Sequence, residues 1–161
     1  MRAVADAVGV KGPSLYKRIP DRAALLRIVA EGVTADLERT LAIAAGSGDP
    51  GKNIRSTVLA YRAFVHANPN GYRLLFADLP AESLPDPGRL ASLGGPLVDA
   101  TRQIAGEPAA LEAARTVVAW AHGFVTMELV GAFRLEGGDL DTAFGFGIEA
   151  ILDGIGRSKA R

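Results

Sequence analysis

From Arg22 to Ala45 the chain runs without a proline, and apolar side chains return every fourth residue, at Leu25, Val29, Val33, Leu37 and Leu41. That is the period of one helix face. At 1.5 Å per residue the helix would span about 35 Å, enough to join two parts of a molecule. Asp21 stands where an N-cap carboxylate belongs. Elsewhere no segment alternates apolar and polar residues with β-branched enrichment, so nothing reads as a strand. The expected fold class is all-α.

Glycine and proline clusters divide the rest. Helices are expected over residues 1–8, 13–19, 22–45, 52–67, 71–78, 88–105, 108–134 and 141–157. The breaks are Gly9, Pro20, "GSGDPG", "NPNG", "LPAESLPDPG", "GEP" and "LEGGD". Gly94, Gly95 and Pro96 interrupt the segment 88–105. "GSGDPG" is the clearest linker, and it divides a head and connecting helix (1–45) from a body (46–161). With 161 residues, 48% of them apolar, there is material for a packed core.

The chain has no cysteine, which excludes disulfides and thiolate metal sites. Its two histidines, His66 and His122, lack metal-ligand spacing, so no metal site is expected. No Ser or Thr stands in a GxSxG elbow. "GFGIEAILDGIG" lacks the strand and the spacing of a nucleotide loop. We therefore expect no catalytic residues, no cofactor and no enzyme activity. No basic-then-apolar leader opens the chain and no apolar run approaches the length of a membrane span. The expected location is cytoplasmic, without membrane contact. Arg outnumbers Lys 14 to 4, a composition common in GC-rich bacteria.

Net charge is zero but unevenly placed. Residues 1–28 hold six cations and two anions, leaving the remainder at −4. A basic end on an acidic body suits a reader of nucleic acid. Within "GVKGPSLYKRIPDR" (9–22) a tight glycine turn joins two short helices, the layout of a helix-turn-helix. Ala5 is small where the helices would cross, Gly9 makes the turn and Leu15 plugs the core. Lys11 and Ser14 are placed for base or sugar contact. Tyr16, Lys17 and Arg18 are placed for phosphates. Arg22 opens the long helix, where free amides also favour a phosphate.

The stretch "MRAVADAVGVKGPSLYKRIPDRAALL" resembles the DNA-binding head of the tetracycline-repressor (TetR) family. The match runs through residues 2–26. Arg18 replaces the usual His and Ile19 the usual Phe. "WAHGF" (120–124) is similar to the Trp-x-His-Gly stretch of one class of the family's C-terminal domains. Met1 falls inside the family's head pattern, so the first head helix is expected to be missing, with the true start upstream or the chain trimmed.

The resemblance implies a ligand-responsive transcriptional regulator, expected to be a repressor. It would bind a palindromic double-stranded DNA operator as a homodimer and answer to a largely apolar small-molecule effector. The alternative is a helical ligand-binding dimer that no longer binds DNA. Tyr61, Phe64, Phe76, Trp120, His122, Phe124 and Met127 are the expected effector-site residues, although an aromatic at helical spacing is more often core than ligand wall. The family's dimer is built from the last two helices. Val125, Leu129, Ala143, Gly147, Ile151 and Gly154 are the expected interface, although each could instead pack within its own subunit.

Overall fold

The computed structural model describes residues 1–46, 48–133 and 138–158. Every regular element among them is helical. In chain order these are α1 (Arg2–Ala7), α2 (Gly12–Tyr16), α3 (Arg22–Ala45), α4 (Pro50–Ala67), α5 (Pro69–Leu75), α6 (Pro87–Ser92), α7 (Gly95–Ala105), α8 (Ala110–Leu129) and α9 (Leu140–Ser158). Single 3-10 turns precede α6 and α8.

Local caps set the longest elements. The Asp21 carboxylate accepts from the Ala24 amide at 2.8 Å, and α3 starts and stops where the sequence places it. Asp49 does the same for Lys52 at 2.7 Å, so α4 begins at Pro50, two residues earlier than its apolar period suggests. Asp139 accepts from the Thr142 amide and hydroxyl at 2.9 and 2.8 Å and opens α9.

Three expectations are corrected. Residues 88–105 form two helices, broken around Leu93 and Gly94. The helix expected at 71–78 runs from Pro69 to Leu75, since proline fits a first helical turn, whose amides have no partner within the helix. The helix expected to reach residue 134 ends at Leu129. Gly131 adopts φ +65°, a left-handed conformation that ends the helix at little steric cost.

The head is small. Ala5 is buried, the Val10 amide donates to its carbonyl at 2.9 Å, and Gly9 makes the turn at φ +71°. Val8, Val10, Ile28 and Val29 are exposed. Of the four-residue stripe on α3, only Leu37 is fully buried, and it joins Ala30, Phe64 and Leu75 in a cluster between α3, α4 and α5. The larger core unites α4, α5, α7, α8 and α9 around Ile54, Val65, Val117, Val125, Phe144 and Ile148. The Thr101 hydroxyl, wholly buried, donates to the Ala110 carbonyl at 2.8 Å and ties α7 to the start of α8.

Candidate functional site

In the head, Lys11, Ser14, Tyr16, Lys17, Arg18 and Arg22 are all exposed. Lys11 is the N-cap of α2 and Arg22 is the first residue of α3. The short α2 thus carries a hydroxyl, a phenol and cations at its two ends. None of these six side chains shows an ion pair among the described residues.

The body separates the expected effector residues into groups. On α8, Trp120 and Phe124 lie about 40° apart around the axis, whereas Trp120 and His122 lie about 200° apart. Trp120 and Phe124 accordingly face α9, where Trp120 stacks on Phe144 (ring centroids 4.8 Å) and Phe124 meets it edge-on (5.0 Å). Phe64 is buried in the α3–α4–α5 cluster, and Met127 is exposed. His122 instead meets Tyr61, Tyr72 and Phe76.

Tyr61, Phe76 and His122 do come together, around a residue the sequence reading missed. The hydroxyl of Tyr72, a buried side chain on α5, lies 2.7 Å from His122 Nδ1, 3.2 Å from the Tyr61 hydroxyl and 3.2 Å from Thr126 Oγ1. The Phe76 ring rests on His122 at 4.3 Å and on Tyr72 at 5.0 Å. Burial pushes the His122 imidazole below its ordinary value, so it is neutral near pH 7. Burial, then the hydrogen bond with Tyr72, pushes the Tyr61 phenol up and keeps it protonated. The cluster is polar but uncharged.

A charged network lies on the neighbouring faces of α4 and α8. Arg62 clamps Glu128 through Nε (3.0 Å to Oε2) and Nη2 (2.7 Å to Oε1). Its Nη1 donates to Asp141 at 2.7 Å. The His66 Nε2–H donates to Glu128 Oε2 at 2.9 Å. The Glu128 side chain is only 2% exposed. Burial alone would raise its carboxyl, but the hydrogen bonds from Arg62 and His66 outweigh that and hold it below the ordinary value. Arg62 and His66 hold α4 to α8, and Arg62 also reaches α9 through Asp141.

The expected dimer residues also divide. Val125 is wholly buried and faces the subunit's own core, and Leu129 packs against that core. A Cβ on Gly147 would lie 2.8 Å from Trp120 Cε2, so this glycine lets α9 approach α8 within the subunit. Val125 and Gly147 are therefore explained by packing inside one chain. Ala143 is exposed. Ile151 and Gly154 line an open groove of about 290 Å³ with Ala105, Ala113, Thr116 and Ile155. This groove borders α9, away from the tyrosine–histidine cluster. Two residues outside the expected set, Val118 and Phe146, are exposed on α8 and α9, Phe146 at 76%.

Among the described residues no helix is long and apolar enough to cross a membrane. No curated protein matches the chain by sequence. Several solved structures share its fold, and three illustrate the likeness. A protein with unknown function from Rhodococcus sp. RHA1 is 20% identical with a TM-score of 0.78, covering 95% of this chain and 82% of that one. A possible TetR family transcriptional regulator from Streptomyces coelicolor A3(2) is 22% identical with a TM-score of 0.69, covering 96% and 87%. BioQ from Mycobacterium smegmatis is 22% identical with a TM-score of 0.66, covering 98% and 86%. At these identities the likeness shows the fold alone. The profile of the family described as "Tetracyclin repressor-like, C-terminal domain" matches residues 54–151, which take in α5 to α8 and most of α4 and α9. That match spans more than half of the chain, which therefore belongs to the TetR family.

Proposed function

We propose that this chain is a ligand-responsive transcriptional repressor that binds a palindromic operator as a homodimer. The observation that carries the reading is the surface of α2 and its flanks: six exposed candidate residues on and around a short helix, set on a TetR-like body. Lys11 and Ser14 read base edges or sugars, Tyr16, Lys17 and Arg18 hold phosphates, and Arg22 adds a contact at the start of α3. Residues 1–45 form the DNA-binding part and residues 46–161 the ligand-binding and dimerisation part. Its place of action is the cytoplasm.

The mechanism is a two-state one. Two heads fit successive major grooves when spaced near one helical turn, about 34–36 Å. The long α3 starts in the head and packs its second half on α4 and α5, so a change in the body alters the head spacing. An effector shifts this balance only by its differential affinity for the two states.

Fluorescence anisotropy with duplex from upstream of the chain's own gene, against a scrambled duplex at two salt concentrations, tests this. Selective, salt-sensitive binding is expected. The double variant Tyr16→Ala, Lys17→Ala should abolish it and leave the oligomeric state unchanged. Undiminished affinity in that variant would remove the head assignment. No selective binding by the wild type would favour the alternative, a ligand-binding dimer without DNA.

The interface is proposed on the exposed face of α8 and α9, at Ala143, Phe146, Ile151 and Gly154 with Val118. Closed two-fold pairing presents the same patch twice, so one lost aromatic is lost on both sides. Phe146→Asp should weaken dimerisation by about 30-fold or more, the scale of an interface hot spot. Sedimentation equilibrium reads this directly, and an unchanged dimer would place the interface elsewhere.

A further inference from the structure

The Tyr61–Tyr72–His122–Thr126 cluster has a hydrogen-bonding order that leaves one position open. The Tyr61 hydroxyl donates to Tyr72 at 3.2 Å. The contact between the Tyr72 hydroxyl and His122 Nδ1 is the shortest of the cluster, 2.7 Å, a separation that suits an O–H donor to a ring nitrogen. With the hydroxyl as donor, the imidazole proton sits on Nε2. No hydrogen bond to Nε2 is seen among the described residues. The ring that carries this donor is covered by Phe76, itself 58% exposed, at the C-cap of the seven-residue α5. Phe76 is packed against the rings of His122 and Tyr72 and covers part of both.

We propose that His122 binds an uncharged aromatic compound bearing a carbonyl-type acceptor, which takes the place of the Phe76 ring. The inference rests on the reading of the body as a ligand-binding domain and names the chemistry of that site. Three features select the class. The Nε2–H donor calls for an acceptor. The faces of Tyr72 and His122, now covered by an aromatic ring, suit another planar ring. None of the cluster's hydrogen bonds involves a charged side chain, and burial holds both Tyr61 and His122 in their neutral forms, so neither a carboxylate nor an ammonium finds a counter-charge there. Phe76 acts as a cover in competition with the ligand, so the apparent affinity is reduced by the fraction of time the cover is closed.

The test is a titration of the full chain, labelled with 15N-histidine, followed by the imidazole nitrogen signals. The chain has only two histidines, and His66→Gln assigns them. The probes are acetophenone, benzoate and benzylammonium. Acetophenone should give a saturable shift of His122 Nε2 and leave His66 unmoved, while benzoate and benzylammonium give none. Phe76→Ala, a change at an exposed position, should bind acetophenone about tenfold more tightly, as expected for a site open about a tenth of the time. Absence of a saturable His122 shift in both wild type and Phe76→Ala overturns the proposal. Benzoate binding as tightly as acetophenone overturns the ligand class, and equal affinity in wild type and Phe76→Ala overturns the cover. No DNA is present in this experiment. Failure here would leave operator binding as measured by anisotropy intact, so the two readings fail separately.

Discussion

Replacing Phe144 by alanine should destabilise the fold by about 4 kcal/mol, the upper range for a fully buried aromatic. The ring has no solvent exposure and is enclosed on several sides. Trp120 stacks on it at 4.8 Å, Phe124 meets it edge-on at 5.0 Å, and the Arg62 guanidinium lies 4.7 Å from its centroid. Those neighbours come from α4 and α8, while Gly147, one turn along α9, is already pressed against Trp120. The helices cannot close the gap without moving Trp120. Loss of about 4 kcal/mol in a domain of this size lowers the melting temperature by roughly 8–16 °C. Thermal unfolding followed by far-UV circular dichroism gives the number, and a drop below about 3 °C would mean that α9 is not packed as described.

Arg62→Ala should be the next most damaging change, at about 3 kcal/mol, because it leaves the Glu128 carboxylate buried without its principal partner. It also removes the tie to Asp141 at the start of α9 and the cation over Phe144. The pH dependence has a definite sign. In the folded chain the Glu128 carboxyl lies below its ordinary 4.5. Its contribution is therefore fully present above that value and is lost as pH falls through the lower folded one. Urea unfolding of the wild type should show this acid-side loss, and Arg62→Ala should flatten it while lowering stability at about pH 7. Equal acid slopes in the two proteins would mean that Glu128 titrates independently of Arg62.

The helical class, the bounds of α3 and the break between α3 and α4 were legible because their causes are local. Asp21 caps its own helix, Gly9 makes its own turn, and an apolar period needs no partner to be recognised. The exposure of the head's cations was legible for the same reason: Lys11, Lys17 and Arg18 flank a helix of five residues, too short to bury them. The end of α8 was not, since "VGAFRLEGG" offers several stopping points and the chain takes the first, at Gly131.

The tyrosine–histidine cluster was half legible. His122, Tyr61 and Phe76 were identified from residue type and helix placement, and the fold does bring them together. Trp120 and Phe124 were grouped with them although the 3.6-residue period turns them toward α9. Tyr72 was passed over because nothing within five residues of it announces a buried hydroxyl; its partners are 11, 50 and 54 positions away.

By itself the sequence determined what short-range chemistry can determine: an all-helical chain, its caps and breaks, a basic head and a long connecting helix. Tertiary structure alone decided which face of each body helix is inside. Val125 went to the core rather than to a partner, Gly147 became the seat of Trp120, and Arg62 turned to Glu128. The physical reason is that a helix sequence sets which residues share a stripe, whereas burial of that stripe depends on neighbours brought in from distant positions. A buried carboxylate such as Glu128 is tolerable only where a specific guanidinium arrives from another helix.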